Sequence, residues 1–445
     1  MNQQVSSKKQ SIPWGRDGQI EFELPAGWQL MGRFVPEEVP PLTNPAYSLE
    51  ESLDKPVGCP PLRELVKGKR RIVIIVDDIS RPTPVRPLLQ TLLDYLHRAG
   101  VDDNLMKLVA ATGLHRIMDR ADMVGKVGEE VLDRVKWESH NSRDRDRLVY
   151  LGRTDRGTPV YINRTVAAAD LRILVGGIKP HPHAGYGGGY KLILPGVAGV
   201  KSIAANHAIC AHPRYFFMLG SDPQSNPMRQ DLEQAGQMLT GTSFLINIVQ
   251  NSDMEIAGIF AGDPVAAHRE GIKLAKKATS VTIPHQADVV ISNSYPMDGD
   301  LRQGIKAIAD VIFAAGPGGI VLAALRCEEG MGNMRIPRIK LSGQPDFIWK
   351  PLVWMMSVLI TQFAPPGISP EERFSTYFML RALLRNRIFV YAPAIADQAR
   401  GLLPGVKLFT DFKLALEEAE RACPRASVII FPHGGSICPQ ISKAM

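Results

Sequence analysis

The feature that most constrains the fold is a repeated alternation of short, continuously apolar runs with segments of helical periodicity. Arg71–Val76 reads RIVIIV, and Leu105–Ala111 and Leu171–Gly176, mainly apolar with one charged residue each, read as further strands. A run without polar alternation belongs to a strand buried on both faces, as in a parallel sheet covered by helices. Between these runs, Val85–Ala99 carries apolar residues at helical spacing and stops at Gly100, and Asp119–Val135 predicts a second helix. Helices over Val200–Ala211, Pro227–Leu239 and Pro264–Ala278 follow, with strands at Phe244–Val249 and Glu255–Phe260. The succession predicts an α/β domain with a largely parallel sheet.

The alternation pauses near residues 278–285 and then restarts. Strand Asp288–Ser292, helix Leu301–Ala315 and strand Gly319–Leu325 lead into two apolar helices, Phe347–Phe363 and Glu371–Asn386. Strand Ile388–Ala392, helix Asp411–Ala422 and strand Ser427–Phe431 complete the pattern. The expected architecture is two α/β domains with mainly parallel sheets, residues 1–280 and 281–445, with the active site in the cleft between them. Residues 1–65, rich in Pro and polar residues, read as an N-terminal extension packed on the first domain. The last residues are candidates to return to it.

Composition narrows the class of function. Of 445 residues, 45% are hydrophobic and 22% charged, which excludes a disordered chain or a coiled coil. The net charge of +7 is scattered, which favours small anionic ligands over a nucleic-acid surface. Five cysteines with no CxxC pair exclude a disulfide framework and a cysteine zinc site. The MNQQVSSKKQ start lacks the apolar core of a secretory signal. The Pro351–Ala364 stretch, interrupted by Ser357, Thr361 and Gln362, is too short and polar to span a bilayer. A cytoplasmic protein is expected.

Polar and glycine residues concentrate just after the expected strands, where open α/β sheets bind ligands. Asp77-Asp78-Ile79-Ser80-Arg81-Pro82-Thr83-Pro84 follows the first strand. Thr83 is a natural N-cap, Pro84 suits a first helical turn, and Arg81 offers a bidentate donor to an anion. Ala111-Thr112-Gly113-Leu114-His115-Arg116 places a histidine, suited to proton transfer, on the next strand-end loop. His181-Pro182-His183-Ala184-Gly185-Tyr186-Gly187-Gly188-Gly189-Tyr190-Lys191 combines two imidazoles, a glycine tract and a lysine. It lacks the spacing of a Walker loop. Asn206-His207 lies in the following helix. Gln303 and Lys306 would share a helix face at i, i+3, and Pro432-His433-Gly434-Gly435 ends the last strand.

Taken together, DDISRPTP at 77–84, ATGLHR at 111–116, HPHAGYGGGYK at 181–191 followed by LPGVAG, His207 and LRQGIK at 301–306 resemble the nickel-pincer lactate racemase family. The resemblance runs from about residue 65 to the end, with the motifs in matching order. It implies a nickel-dependent isomerase that racemises or epimerises C2 of a 2-hydroxy acid by reversible hydride transfer. The implied cofactor is a nickel pincer nucleotide, pyridinium-3,5-bisthiocarboxylic acid mononucleotide nickel.

By motif position, the resemblance makes His207 the nickel ligand, Lys191 the lysine that binds the cofactor, and His115 and His181 the paired acid/bases. It places Asp78, Ser80, Arg81, Gly188 and Gly189 at the cofactor, and Arg81, Gln303 and Lys306 at the substrate. It implies a small 2-hydroxy acid substrate and nickel-cofactor biosynthesis proteins as loading partners, with no nucleic acid or membrane. Four positions depart from the family pattern. Gly187 stands where Ser is usual, Tyr190 where Arg is usual and Arg302 where an aromatic is usual, and His183 adds an imidazole beside His181. A C2-epimerase of an aldonate and a non-catalytic nickel-cofactor-binding protein are the alternative readings.

Overall fold

A computed structural model describes residues 8–332, 346–362, 373–399 and 406–442. The far end expected for the helix from Phe347, at residue 363, and the start expected at residue 371 lie outside the described residues. The chain forms two compact units. An inserted unit comprises residues 38–278 and 370–374, and a split unit comprises residues 1–37, 279–369 and 375–445.

The inserted unit is built on a six-stranded sheet. Its spatial order is Ile256–Gly262, Thr242–Gln250, Leu171–Gly177, Ile72–Asp77, Met106–Ala111 and Lys136–Ser139. All neighbours pair in parallel except Ile256–Gly262, an antiparallel edge strand. Ile72–Asp77 is buried along its whole length, which accounts for its unbroken apolar sequence. Ile72, Ile74 and Val76 join one hydrophobic cluster and Val73 and Ile75 another, so each face of the strand has its own core. From this strand the chain first winds outward through Met106–Ala111. It then restarts on the other flank with Leu171–Gly177, so the strand order reverses between Ile72–Asp77 and Leu171–Gly177. The loops after these strands include 77–84, 112–116 and 178–191, the segments the sequence singles out.

The split unit repeats the design. Val406–Phe409, Arg387–Tyr391, Ala315–Ala324, Ala287–Asn293, Ala426–Phe431 and Trp28–Arg33 lie side by side, all parallel. Here the N-terminus departs from the expectation of an extension on the first domain. Trp28–Arg33 is the sixth strand of this second sheet, and Lys9–Trp14 and Gly18–Glu23 form a hairpin in the same unit. Ile12, Phe22 and Trp28 are buried there with Val428 and Ile430, so the apolar face of the N-terminal segment dictates its partner. The last described strand, Cys438–Ile441, pairs with Ser280–Ile283 and stays in the split unit.

Local differences have local causes. The helix expected over Asp119–Val135 is two, Arg120–Val127 and Glu129–Arg134, parted by Gly128 at φ +90°. The helix expected over Leu301–Ala315 is reduced to Leu301–Gly304 and Lys306–Ala309, and the next strand already begins at Ala315. The helix from Val200 ends at Ala208. Helix Pro45–Asp54, which the sequence reading passed over, starts on Asn44, whose side chain accepts from Tyr47 N–H at 3.1 Å. Among the described residues no helix is long and apolar enough to cross a membrane.

Candidate active site

The loop after Ile72–Asp77 is secured from below by a buried lysine. Lys126 Nζ lies 2.6 Å from Asp77 Oδ1 and donates to the carbonyls of Arg81 at 2.8 Å and Thr83 at 3.2 Å. The sequence predicts Thr83 as a helix cap, but the helix begins at Arg86, after Val85. The buried Asp77 carboxylate draws the hydroxyl instead: Thr83 Oγ1 donates to Asp77 Oδ2 at 2.6 Å.

Asp78, Ser80 and His115 come together on this platform. His115 Nδ1 lies 2.8 Å from Asp78 Oδ2, while Asp78 Oδ1 accepts Ser80 N–H at 2.8 Å and also the Ser80 hydroxyl. Burial acts to raise the Asp78 carboxyl. The His115 hydrogen bond and charge, the Arg81 charge and the Ser80 hydroxyl outweigh it and hold the carboxyl well below the usual range. An ionised carboxylate facing Nδ1 keeps the imidazole proton there and leaves Nε2 as the basic nitrogen. Asp78, which the resemblance places at the cofactor, is thus committed on both oxygens to His115 and Ser80.

His181 is held in the opposite sense. Its Nδ1 accepts the backbone N–H groups of His183 at 3.2 Å and Ala184 at 3.1 Å. A neutral imidazole that accepts at Nδ1 carries its proton on Nε2. That nitrogen lies 3.1 Å from Lys191 Nζ, a contact that an Nε2–H makes only with the neutral amine, since an ammonium donates and does not accept. His183 is buried beside them, and burial lowers its pKa to about 3. The imidazole absent from the family pattern is therefore neutral.

The glycine tract is moulded by the protein itself. A Cβ on Gly188 (φ +75°) would come within 2.6 Å of Asn247 Oδ1, and one on Gly189 (φ +61°) within 3.1 Å of the His268 ring. These two glycines, expected to admit the cofactor, are required by packing and by positive φ. The Tyr190 ring packs on Gly236 in a hydrophobic cluster, so the aromatic at this departure from the family faces the core. The neighbouring loops also touch: Gly113 N–H donates to Gly196 O at 2.9 Å, and Gly196 N–H to Lys191 O at 3.0 Å.

His207 lies on helix Val200–Ala208, where Nδ1 donates to the Ile203 carbonyl at 2.8 Å. That bond fixes the tautomer with the lone pair on Nε2, the form that ligates a metal. The Phe374 ring stacks on His207 with centroids 4.5 Å apart and meets His183 edge-on at 4.8 Å. No motif pointed to Phe374. Among the described residues no three His, Cys, Asp or Glu side chains gather as a metal cluster.

Gln303 and Lys306 belong to the split unit and do not share one continuous helix, since each sits on its own four-residue helix. Gln303 is buried, and its N–H donates to Asp300 Oδ1 at 2.8 Å. Burial raises the Asp310 carboxyl well above its usual value, with the Lys306 charge opposing. This unit's strand order also reverses, beside Ala287–Asn293. Tyr295 and His433, on the two loops there, have ring centroids 5.5 Å apart.

Known proteins resemble this chain in sequence and fold. Residues 15–216 match the family described as the lactate racemase N-terminal domain. The lactate racemase of Lactiplantibacillus plantarum is 34% identical over 290 residues, 64% of this chain and 67% of that enzyme. The lactate racemase of Thermoanaerobacterium thermosaccharolyticum is 32% identical over 287 residues, 64% of this chain and 66% of that enzyme. The structure of the latter's apoprotein superposes with a TM-score of 0.84 over 97% of this chain and 100% of its own, at 27% identity. A Thermotoga maritima protein, 17% identical with a TM-score of 0.65 over 91% of this chain and all of its own, shares the fold. Sequence and fold agree that the chain belongs to the lactate racemase family.

Proposed function

We propose that the chain is a racemase that inverts C2 of a 2-hydroxy acid, lactate being the acid its relatives are named for, with a nickel pincer nucleotide as cofactor. One observation carries the reading. His115 and His181 sit on loops at the carboxyl end of one sheet and are fixed in complementary tautomers. His115 has its basic nitrogen at Nε2, set by Asp78, and His181 has its proton at Nε2, set by two peptide N–H groups. Inversion requires a base for the hydroxyl of one enantiomer and an acid for the other, with the roles exchanged in reverse.

The residues suit the cofactor. His207 offers one imidazole in the metal-binding tautomer, and an imidazole is a good ligand for nickel. Lys191 supplies the amine that binds the nucleotide, and Ser80 and Arg81 the polar groups beside it. When bound, the group supplies a reversible acceptor for the C2 hydride, so the substrate passes through a planar 2-keto acid. The protein's part is protons and position. His115 Nε2 takes the hydroxyl proton of one enantiomer, His181 Nε2–H returns one to form the other, and Arg81 holds the carboxylate. The substrate-binding roles of Gln303 and Lys306, and loading by nickel-cofactor biosynthesis proteins, belong to the same proposal.

The test is to load the protein with the cofactor and follow each enantiomer of lactate, malate and C2-epimeric aldonates by chiral chromatography. His115→Ala and His181→Ala should each impair both directions, because each histidine accepts in one direction and donates in the other. A loaded wild-type protein that equilibrates none of these acids overturns the reading.

A further inference from the structure

The two N–H groups that fix His181 belong to peptides whose opposite ends are also held. The His183 N–H shares its peptide plane with the Pro182 carbonyl, which accepts Met218 N–H at 2.5 Å. The Ala184 N–H shares its plane with the His183 carbonyl, which accepts Asn226 Nδ2–H at 2.8 Å. A peptide is planar, with C=O and N–H antiparallel, so a donor anchored on the oxygen aims the hydrogen the other way. Asn226 therefore directs the Ala184 N–H at His181 Nδ1.

Asn226 is fully buried, and each of its polar ends has a separate task. Oδ1 accepts Arg229 N–H at 2.9 Å and caps helix Pro227–Gln237. Nδ2 donates to His183 O and to Ser221 Oγ at 3.0 Å. One turn into the helix, Arg229 continues the hold. Its buried guanidinium donates to the carbonyls of Ala184, Tyr186 and Gly188, with Ala184 at 3.4 Å and Gly188 at 3.1 Å. From the next helix His268 Nε2 binds Gly187 O at 2.7 Å. The carbonyls of this loop are gathered on one side by side chains of other elements.

We infer that Asn226 is a positioning residue that sets the tautomer of His181 through the His183–Ala184 peptide. The inference deepens the racemase reading, since it matters to catalysis only if His181 is an acid/base, but its structural content stands apart from that.

Asn226→Asp separates the two tasks of the side chain. Aspartate caps a helix about as well as asparagine, so the helix start is kept, although a buried carboxylate without donors lowers stability. Its second oxygen accepts rather than donates, and it faces the His183 carbonyl repulsively. Asn226→Ser keeps a capping oxygen and lacks the amide donor, and serves if the aspartate variant does not fold. The readout is the tautomer of His181 in cofactor-free protein, from 15N–1H long-range correlation spectra of 15N-histidine-labelled samples. His181→Ala assigns the signal. Wild type should show His181 as the Nε2–H form. Either variant, measured well below its own lowered melting temperature, should show a new population with the proton on Nδ1 while the remaining spectrum stays that of the folded protein. In loaded enzyme the same variants should lose about 10- to 100-fold in turnover with little change in KM, the usual scale for removing an outer hydrogen-bond partner. An unchanged His181 tautomer in a folded variant overturns the inference and leaves the racemase reading in place. A changed tautomer in a protein whose wild type racemises nothing overturns the racemase reading and leaves the inference standing.

Discussion

Replacing Asp78 with asparagine probes the acid/base pair at its most constrained point. The substitution keeps the shape of the side chain and removes its charge. In the native site the Asp78 carboxylate receives the His115 Nδ1–H at 2.8 Å and the Ser80 N–H at 2.8 Å. An asparagine can satisfy Ser80 with its oxygen only by turning its amide nitrogen toward His115. That nitrogen donates, so the imidazole must move its proton to Nε2 or give up the contact. Either way the tautomer in which His115 Nε2 is basic is no longer fixed by a partner at Nδ1. A hydrogen bond to a charged partner contributes about 1.5–3 kcal/mol. Each 1.36 kcal/mol is about tenfold in rate, so Asp78→Asn should lower turnover roughly 10- to 100-fold. The effect should fall on kcat, because both oxygens of this carboxylate are engaged by His115 and Ser80. The assay is racemisation of each lactate enantiomer by cofactor-loaded protein, with nickel content and thermal melting measured alongside. A folded, nickel-replete Asp78→Asn enzyme within about threefold of wild-type kcat would refute the argument that Asp78 acts through His115.

Three other outcomes follow from the geometry. His207→Ala removes the imidazole proposed as the metal ligand, and nickel retained after desalting, read by elemental analysis, should fall sharply. Full retention would remove His207 from the metal site. Gly236→Ala would drive a methyl group into the Tyr190 ring. Overpacking costs about 1–3 kcal/mol, so the melting temperature should drop by roughly 2–10 °C, and Tyr190→Ala should relieve much of that loss. His268 is held well below its usual pKa by burial and the Arg229 charge, against the Gly187 hydrogen bond, with Arg269 lowering it further. The unfolded chain binds a proton near pH 6.5 that the folded chain refuses, so the stability this residue contributes is present above pH 6.5 and lost as pH falls. His268→Gln should flatten the decline in urea unfolding between pH 7 and 5, and equal slopes in the two proteins would contradict the assignment.

The central strands were legible because both faces of Ile72–Asp77 are buried, which leaves a local pattern of unbroken apolar residues. Trp28–Arg33 was not, because it is an edge strand of mixed exposure whose partner lies about 400 residues away, beyond the reach of any window. His115, His181, Lys191 and His207 could be named from the motifs. What holds them could not. Asp78 has the same sequence signal whether or not it partners an imidazole, and only the structure shows its 2.8 Å contact with His115. Thr83 has the signal of a cap, but the cost of burying Asp77 without donors takes precedence. Asn226-Pro227 announces a helix start, yet nothing in it shows which loop the amide will hold. Phe374 lies far along the chain from the histidines it covers, and its role is purely tertiary.

The interrupted chain course of the split unit has a consequence for biosynthesis. Its edge strand and hairpin are made first, but their neighbour Ala426–Phe431 comes near the end, and Trp28 Nε1 must still reach Cys423 O across 395 positions. The intervening residues 38–278 contain everything their own sheet needs and can fold as they emerge. At about 5–20 residues per second, the wait for residues 38–278 alone is roughly 10 to 50 s. Throughout it, Ile12, Phe22 and Trp28 have no native cover on the ribosome-bound chain. Such a nascent segment is a target for holding chaperones. Shortening the chain at either end should therefore harm solubility more than removal of a few surface residues would suggest.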